Sequence, residues 1–387
     1  MRLVFSSRVI LTFASFVLFS GCSKPAKVAA APEPEKKYSV PRSRAADDAG
    51  RFFAGIPGKP DGPFHELEQD AAWAAHSKEF AQMWERREKA YLPALRKFQQ
   101  SAIAAEPFSK GPVFYPFGGP DILTARTFFP NNGTYVLVGL EPPGTVPDVS
   151  AARSADLTQY LPGVRQTLGT LLRQSFFITA DMAKQVRGQI SDGLLLPLLI
   201  QLSLMRCEIL GHQSVSIEAD GKVVPRLTRD ANFKGSRNDG VAVDFQLPTG
   251  EIRHLYYFSV NLQDRSFKEN TALQAYLKSL QPYTTFFKSA SYLPHGWNFT
   301  AIRNEVLANS HAIVQDDSGV PYRFIDKKAW NVRLYGQYSP PYGIFKNMLQ
   351  PDLLKAYEES SPTPLGFYIG YGYGRRPSTV MVMSKKS

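Results

Sequence analysis

The sequence predicts a mixed α/β (α+β) fold: a mixed sheet with antiparallel hairpins and flanking helices, behind a disordered N-terminal tether. Three observations carry this. Apolar residues recur at helical spacing in several stretches, and short apolar or aromatic runs between them are joined by glycine-containing turns. Hydrophobic residues make up 43% of the 387 and aromatics 12%, enough to bury a substantial core. No repeat at a fixed period is present, so the stretch from residue 60 to 387 reads as a single large globular body.

The chain opens with Arg2 and Arg8 ahead of the apolar run Val9–Phe19, a basic region and a short hydrophobic region. That is the layout of a signal peptide over residues 1–21, too short to remain as a membrane span. Leu18-Phe19-Ser20-Gly21-Cys22 resembles the bacterial lipobox, which implies cleavage before Cys22 and acylation of its thiol and new amine, palmitate among the chains. Multiple acyl chains hold a protein to a membrane durably, because each buried methylene adds roughly 0.8 kcal/mol. Ser23, in place of Asp, implies the outer membrane and its periplasmic face in a Gram-negative cell. Residues 22–45 combine prolines and charges with few large apolar groups and read as a flexible linker.

Folding is expected from near Pro63. Trp73, His76, Phe80, Trp84, Tyr91, Leu95 and Phe98 mark an amphipathic helix, with Pro93 starting a second segment. Pro112–Pro116 reads as a strand, Gly118–Asp121 as a loop, Ile122–Phe129 as a helix and Thr134–Leu140 as a strand. Helices follow over Leu157–Phe176 and Leu194–Met205, the latter almost uniformly apolar and typical of a buried helix. Val215–Glu218 with Lys222–Val224, and Val241–Leu247 with Ile252–Val260, read as hairpins. Helices are expected at Leu273–Ser279, Phe299–Asn309 and Leu349–Glu359, and strands at Thr285–Tyr292, His311–Gln315 and Asn331–Tyr335. Gly366–Gly374 and Thr379–Met383 read as a closing hairpin.

Lys and Arg number 45 against 34 Asp and Glu, a net charge of +11. The surplus is spread out, which fits work beside anionic lipid or cell-wall polymer and makes nucleic acid a poor partner. With Cys22 used by the anchor, Cys207 stands alone in an apolar stretch and reads as a small buried hydrophobe. The six histidines are scattered without metal-ligand spacing, so neither metal nor cofactor is expected.

Three segments depart from ordinary core and loop. Tyr115-Pro116-Phe117-Gly118-Gly119-Pro120-Asp121, with Glu141 some twenty residues on, has the layout of a nucleotide or S-adenosylmethionine site. Its alternative is a tight strand-to-helix turn in which Asp121 caps the next helix. Phe287-Lys288-Ser289-Ala290-Ser291-Tyr292-Leu293-Pro294-His295 brings Lys288, serines and His295 close in sequence without a nucleophile-elbow motif. On a strand, Lys288 and Ser289 would face opposite ways. Asp316 and Asp317 sit in Gln315-Asp316-Asp317-Ser318-Gly319, either an ordinary Asp-Ser-Gly turn or one carboxylate paired with Lys288 or Arg303 and the other near solvent. The Tyr/Gly-rich 366–374 stretch suits either core packing or sugar stacking.

Tyr-Pro-Phe-Gly-Gly-Pro-Asp, Phe-Phe-Pro-Asn, Tyr-Val-Leu-Val-Gly-Leu-Glu-Pro, Ala-Ser-Tyr-Leu-Pro-His and Gln-Asp-Asp-Ser-Gly-Val-Pro-Tyr resemble the motifs of a family of uncharacterised bacterial envelope lipoproteins, from about residue 110 onward. The resemblance implies one architectural unit and no activity. The expected function is an envelope lipoprotein acting as a non-catalytic binding or structural module, with an envelope polymer, small molecule or protein as partner. A hydrolase using Tyr115, Asp121, Glu141, Lys288, His295, Asp316 and Asp317 as one pocket is the alternative. A methyltransferase-like or nucleotide-type scaffold is a third reading. It expects Gly118-Gly119 at the mouth of a parallel sheet beside Glu141.

Overall fold

A computed structural model describes residues 38–104, 108, 111–146, 154–174, 193–226, 238–371 and 378–386. The signal peptide, Cys22 and the linker as far as residue 37 lie outside the described residues, as does the end of the 366–374 stretch.

The body begins at Tyr38, well before the expected position 60. Helix α1 (Ala45–Phe53) is the reason. Its Ala46, Ala49, Phe52 and Phe53 are fully buried, and Asp47 Oδ1 accepts the Ile209 amide at 2.9 Å. The charges around them suggest a linker by composition, but one helical face hides four apolar side chains.

A ten-stranded sheet runs through the body. The strands are β1 (Val113–Tyr115), β2 (Thr134–Gly139), β3 (Glu208–Ile217), β4 (Val223–Pro225), β5 (Asp239–Gln246), β6 (Ile252–Ser259), β7 (Tyr283–Phe287), β8 (Ser310–Gln315), β9 (Trp330–Gly336) and β10 (Thr379–Lys385). Their spatial order is β4-β3-β5-β6-β2-β1-β7-β8-β10-β9. The five central strands β6, β2, β1, β7 and β8 are parallel. Antiparallel strands flank them on both sides.

Side chains alternate between the two faces as strand geometry requires. Val113, Tyr115, Tyr135, Leu137, Phe286 and Val314 face one core, while Phe114, Val136, Val138, Phe287 and Ile313 face the other. Both faces are covered, which is why the central strands read as continuous apolar runs. The first face carries α3 (Leu92–Phe98), α4 (Ile122–Phe128) and α6 (Leu195–Leu204). The second carries α7 (Asp264–Glu269), α8 (Thr271–Ser279) and α9 (Thr300–Asn309). A further layer over the first face contains α1, α2 (Ala71–Ala90) and α5 (Ser154–Gln174). Helix α6 is apolar all round because Leu195, Leu198 and Leu202 meet the sheet-side core and Leu196, Ile200 and Leu204 the outer one. Helix α10 (Pro351–Glu359) packs beside β10.

The crossovers fix where a site can form. From β1 the chain passes through α4 on the first face to β2, moving one way across the sheet. From β7 it passes through α9 on the second face to β8, moving the other way. Both directions satisfy the right-handed crossover rule only because the helices lie on opposite faces. Between β1 and β7 the winding reverses, and the loops beyond their carboxyl ends part to leave a crevice.

Two strand expectations are corrected. The strand expected over Thr285–Tyr292 ends at Phe287, because Ser289, Ser291 and Tyr292 all take positive φ near 50°, which no strand accommodates. Of the closing hairpin's first strand, 366–374, the described residues 366–371 are not strand. β10 enters between β8 and β9 instead, and Phe367 and Ile369 turn into the core below.

Candidate functional site at the carboxyl edge

A cleft of about 220 Å³ opens at this reversal point. Its walls come from the segments following β1, β2, β6 and β7: Tyr115 and Phe117–Asp121, Val138–Glu141, Val260–Gln263, and Lys288–Ser291. Of the sequence candidates, Tyr115, Gly118, Gly119, Asp121, Glu141 and Lys288 meet here.

The turn after β1 is self-contained. The Gly118 amide donates to the Tyr115 carbonyl at 3.3 Å, that of Gly119 to Val138 at 3.3 Å, and that of Asp121 to Gly118 at 3.2 Å. Pro120 has no amide hydrogen, so this glycine turn spends its donors on the protein rather than holding them out as a phosphate cradle. Gly119 has φ +52°, and a Cβ on Gly118 would strike the Tyr115 ring at 2.6 Å. Asp121 Oδ1 caps α4 through the Thr124 amide at 3.2 Å, as the capping alternative expects. From α6, Gln201 clamps the same junction, donating to the Pro120 carbonyl at 2.7 Å and accepting the Leu123 amide at 3.2 Å.

On the floor, Asp121 Oδ2 forms an ion pair with Lys288 Nζ and accepts the Tyr115 hydroxyl at 3.1 Å. Lys288 also donates to Thr124 Oγ1 at 3.0 Å. All four residues are buried. Burial pulls the Lys288 ammonium below its ordinary range, and the facing Asp121 carboxylate works against that. Burial, aided by Asp121, pushes the Tyr115 phenol well up. A buried charge pair with these extra hydrogen bonds is a neutralised structural unit.

The wall after β7 is built differently. Asp316 Oδ2 accepts the Ser289 amide at 2.7 Å, and its Oδ1 accepts the Ser318 amide at 2.9 Å and hydroxyl at 2.5 Å. Tyr371 accepts the Ser291 amide at 3.0 Å and donates to the Ser289 carbonyl at 3.0 Å. These contacts hold three non-glycine residues in left-handed backbone, a conformation that costs on the order of 1–2 kcal/mol each. The Ser289 hydroxyl, on this wall of the cleft, is buried with no hydrogen-bond partner.

The remaining candidates lie outside the cleft. Asp317 accepts the Tyr292 hydroxyl at 2.5 Å; burial and then the Asp316 charge raise its carboxyl to about 7. Burial likewise raises Asp316. His295 packs edge-on against Tyr292, 5.0 Å between ring centres, and burial lowers it to about 4, so the ring is neutral at neutral pH. Arg303 donates to the Pro294 carbonyl at 2.7 Å. The seven-residue pocket of the hydrolase reading is therefore split in two. Asp316 and Asp317 build the wall from behind, and Asp121 and Lys288 face each other.

Glu141, two residues past β2, is half-buried on the cleft wall. Its Oε2 accepts only the weak local bond from Leu140 at 3.2 Å, while its carbonyl is fixed by Tyr257 at 2.7 Å. Asn261 and Gln263 are not singled out by the sequence, whereas Ser289 and Ser291 stand in the segment it reads beside Lys288. Asn261 and Gln263 follow the predicted strand Ile252–Val260, and strand order alone would have brought them to the edge. Cys207 is buried and free, and burial raises its thiol, as a packing residue requires. No helix among the described residues is long and apolar enough to cross a membrane. No family model, curated protein or solved structure matches this chain.

Proposed function

We propose that the chain is an envelope lipoprotein, anchored through Cys22, whose body is a non-catalytic binding module built on a nucleotide-type scaffold. Its ligand is a small molecule bearing a vicinal diol. The observation that carries this is the cleft itself: at the reversal of a doubly wound sheet, with a carboxylate at the end of the strand next to the glycine turn. Counted in chain order, the five parallel strands lie 3-2-1-4-5, the order of a dinucleotide-binding sheet, in which the acidic residue of the second strand accepts from ribose hydroxyls. The reversed β10 between β8 and β9 resembles the methyltransferase-like variant of that sheet.

The amides of Gly118, Gly119 and Asp121 are engaged, which disfavours a phosphate and favours a nucleoside or a sugar. The volume agrees, since 220 Å³ lies below the 300–1,000 Å³ usual for larger ligands. Mutual neutralisation of Asp121 and Lys288 supports binding over acid–base chemistry.

Calorimetric titration with adenosine, 2′,3′-dideoxyadenosine, S-adenosylmethionine and methyl glucoside tests the reading. Adenosine or the glucoside is expected to bind and the dideoxy compound not. Glu141→Gln is expected to weaken binding roughly tenfold or more, as loss of a charge-assisted hydrogen bond does. Equal binding of adenosine and its dideoxy analogue, or no binding by any of the four, overturns it. For the anchor, the mass of the N-terminal peptide from membranes is expected to show acylation that Cys22→Ser abolishes.

A further inference from the structure

The large apolar side chains left in water are not spread evenly. Among the described residues, Leu140 (62% exposed), Trp297 (87%), Ile344 (89%), Leu349 (40%), Tyr342 (38%) and Met348 (37%) all follow the carboxyl ends of strands that run in one direction. Leu140 follows β2, Trp297 lies in the β7–α9 connection, and the other four follow β9, which runs parallel to β8 through β10. The last group is fixed to this edge: Phe345 packs on Tyr292 at 4.9 Å, and Gln350 donates to the Asp317 carbonyl at 2.9 Å. The opposite edge has Ile252, exposed by 41% at the start of β6, and Tyr368, exposed by 48%, lies apart from both groups, where its carbonyl accepts the Tyr91 hydroxyl. Phe324, also exposed at the carboxyl edge, lies under the guanidinium groups of Arg303 and Arg323 at 4.0 and 4.8 Å.

We infer that this carboxyl edge docks on a lipid surface, with the cleft mouth turned toward the bilayer. Isolated exposed apolar residues are ordinary, whereas a set concentrated on one edge marks an interaction surface. Lipid is favoured over a protein partner by charge. The segments 288–303 and 338–350, which carry Trp297 and Ile344, contain no Asp or Glu, while the exposed Lys346 supplies positive charge. Lys346 is exposed beside Ile344, and the whole chain carries +11. Tryptophan, tyrosine and lysine flanking aliphatic residues is the composition that settles at the headgroup boundary. The sixteen residues from Cys22 to Lys37 span up to about 50 Å when extended, enough for an anchored body to turn this edge to the membrane. The inference goes beyond the cleft reading and does not require it, because none of the apolar residues except Leu140 lines the cleft.

Residues 38–387 contain the sheet and all the cores described above, so this body without its anchor is the material to test. In flotation with phosphatidylethanolamine–phosphatidylglycerol vesicles, the wild type is expected to rise with the lipid and its tryptophan emission to shift to the blue. The double variant W297S/I344S is expected to bind at least tenfold more weakly, since each side chain loses apolar burial worth more than one decade of affinity. Its thermal midpoint should be unchanged, because both side chains are exposed. Glu141→Gln is expected to float like the wild type, which separates this surface from the cleft. Failure of the wild type to float, or flotation of the double variant at wild-type strength, overturns the inference. Concentration-dependent self-association without vesicle binding, abolished by W297S/I344S, assigns the edge to a second copy of the chain and also overturns it.

Discussion

The turns that follow β1 and β7 do the same job by opposite means. Both reverse the chain at the carboxyl edge, and together they form facing parts of the cleft. After β1 the tightest backbone is assigned to Gly119, with Phe117 the one side chain at positive φ. After β7 there is no glycine, and Ser289, Ser291 and Tyr292 are all left-handed. The first turn carries a single strained side chain, and its glycine amides bond within it and to β2. The second is strained, and Asp316, Ser318 and Tyr371 hold it from outside. Strain maintained by that many external contacts belongs at a working surface, and the partnerless Ser289 hydroxyl lies there. The difference teaches that one edge can be turned in two ways, the β1 turn held largely by its own bonds and the β7 turn by contacts from distant segments.

The comparison breaks most visibly at the ion pair that joins the two turns. Lys288→Met leaves Asp121 buried without its countercharge and should cost roughly 3–5 kcal/mol in urea denaturation. A cost below about 1 kcal/mol would mean that Asp121 finds other partners. In the double variant K288M/D121N much of the loss should return, because the unpaired charge is gone.

Next in size, Gly119→Ala forces a Cβ into left-handed backbone and should destabilise by about 1–2 kcal/mol. Ser289→Gly should act oppositely, leaving stability equal or up to about 1 kcal/mol higher while weakening ligand binding. If both substitutions destabilise equally, the contrast between the turns is wrong.

The smallest effect is a pH slope. Asp317 has its folded pKa raised to about 7 from an ordinary value of 3.8. Its neutral form is thus favoured by folding, and that contribution is complete below about 4 and lost as pH rises through about 7. His76 and His295, both lowered to about 4 by burial, act in the opposite sense, losing stability as pH falls from about 6.5 to 4. The informative quantity is therefore the difference between wild type and Asp317→Asn, measured by denaturation from pH 8 to 5. Wild type should gain stability relative to the variant as pH falls, and a flat difference would remove Asp317 from the account.

The elements most legible in the sequence were those whose pattern is local. Pro93 does open a separate helix, with α3 at Leu92–Phe98, and the pair β5–β6 is the hairpin its Pro-Thr-Gly-Glu turn predicts. The capping role of Asp121 was readable from Gly-Gly-Pro-Asp ahead of an apolar run, and the geometry is that of a cap. What failed depended on distant partners. Tyr283–Phe287 ends where Asp316 and Tyr371, remote in sequence, bend the next residues away from strand geometry. Gln201 is one of two polar residues within α6, with Ser203, but its function as a clamp on Pro120 and Leu123 depends on how α6 packs against α4. The pairing of Lys288 with Asp121 spans a separation that no local pattern encodes.

By itself, the sequence determined the α/β class, the placement of most helices and strands, and the clustering of Gly118, Gly119, Asp121 and Glu141 around one strand-turn-helix-strand unit. Periodicity, turn chemistry and capping are short-range, so they survive in one dimension. Only the tertiary structure decided the strand order, and with it which loops share an edge. That order places Lys288 over Asp121, sends Asp316 and Asp317 behind the wall, and gathers the exposed apolar side chains at the carboxyl edge. The physical reason is that strand pairing and crossover handedness are satisfied by the whole sheet at once, so the neighbours of a loop are set by segments far away in the chain.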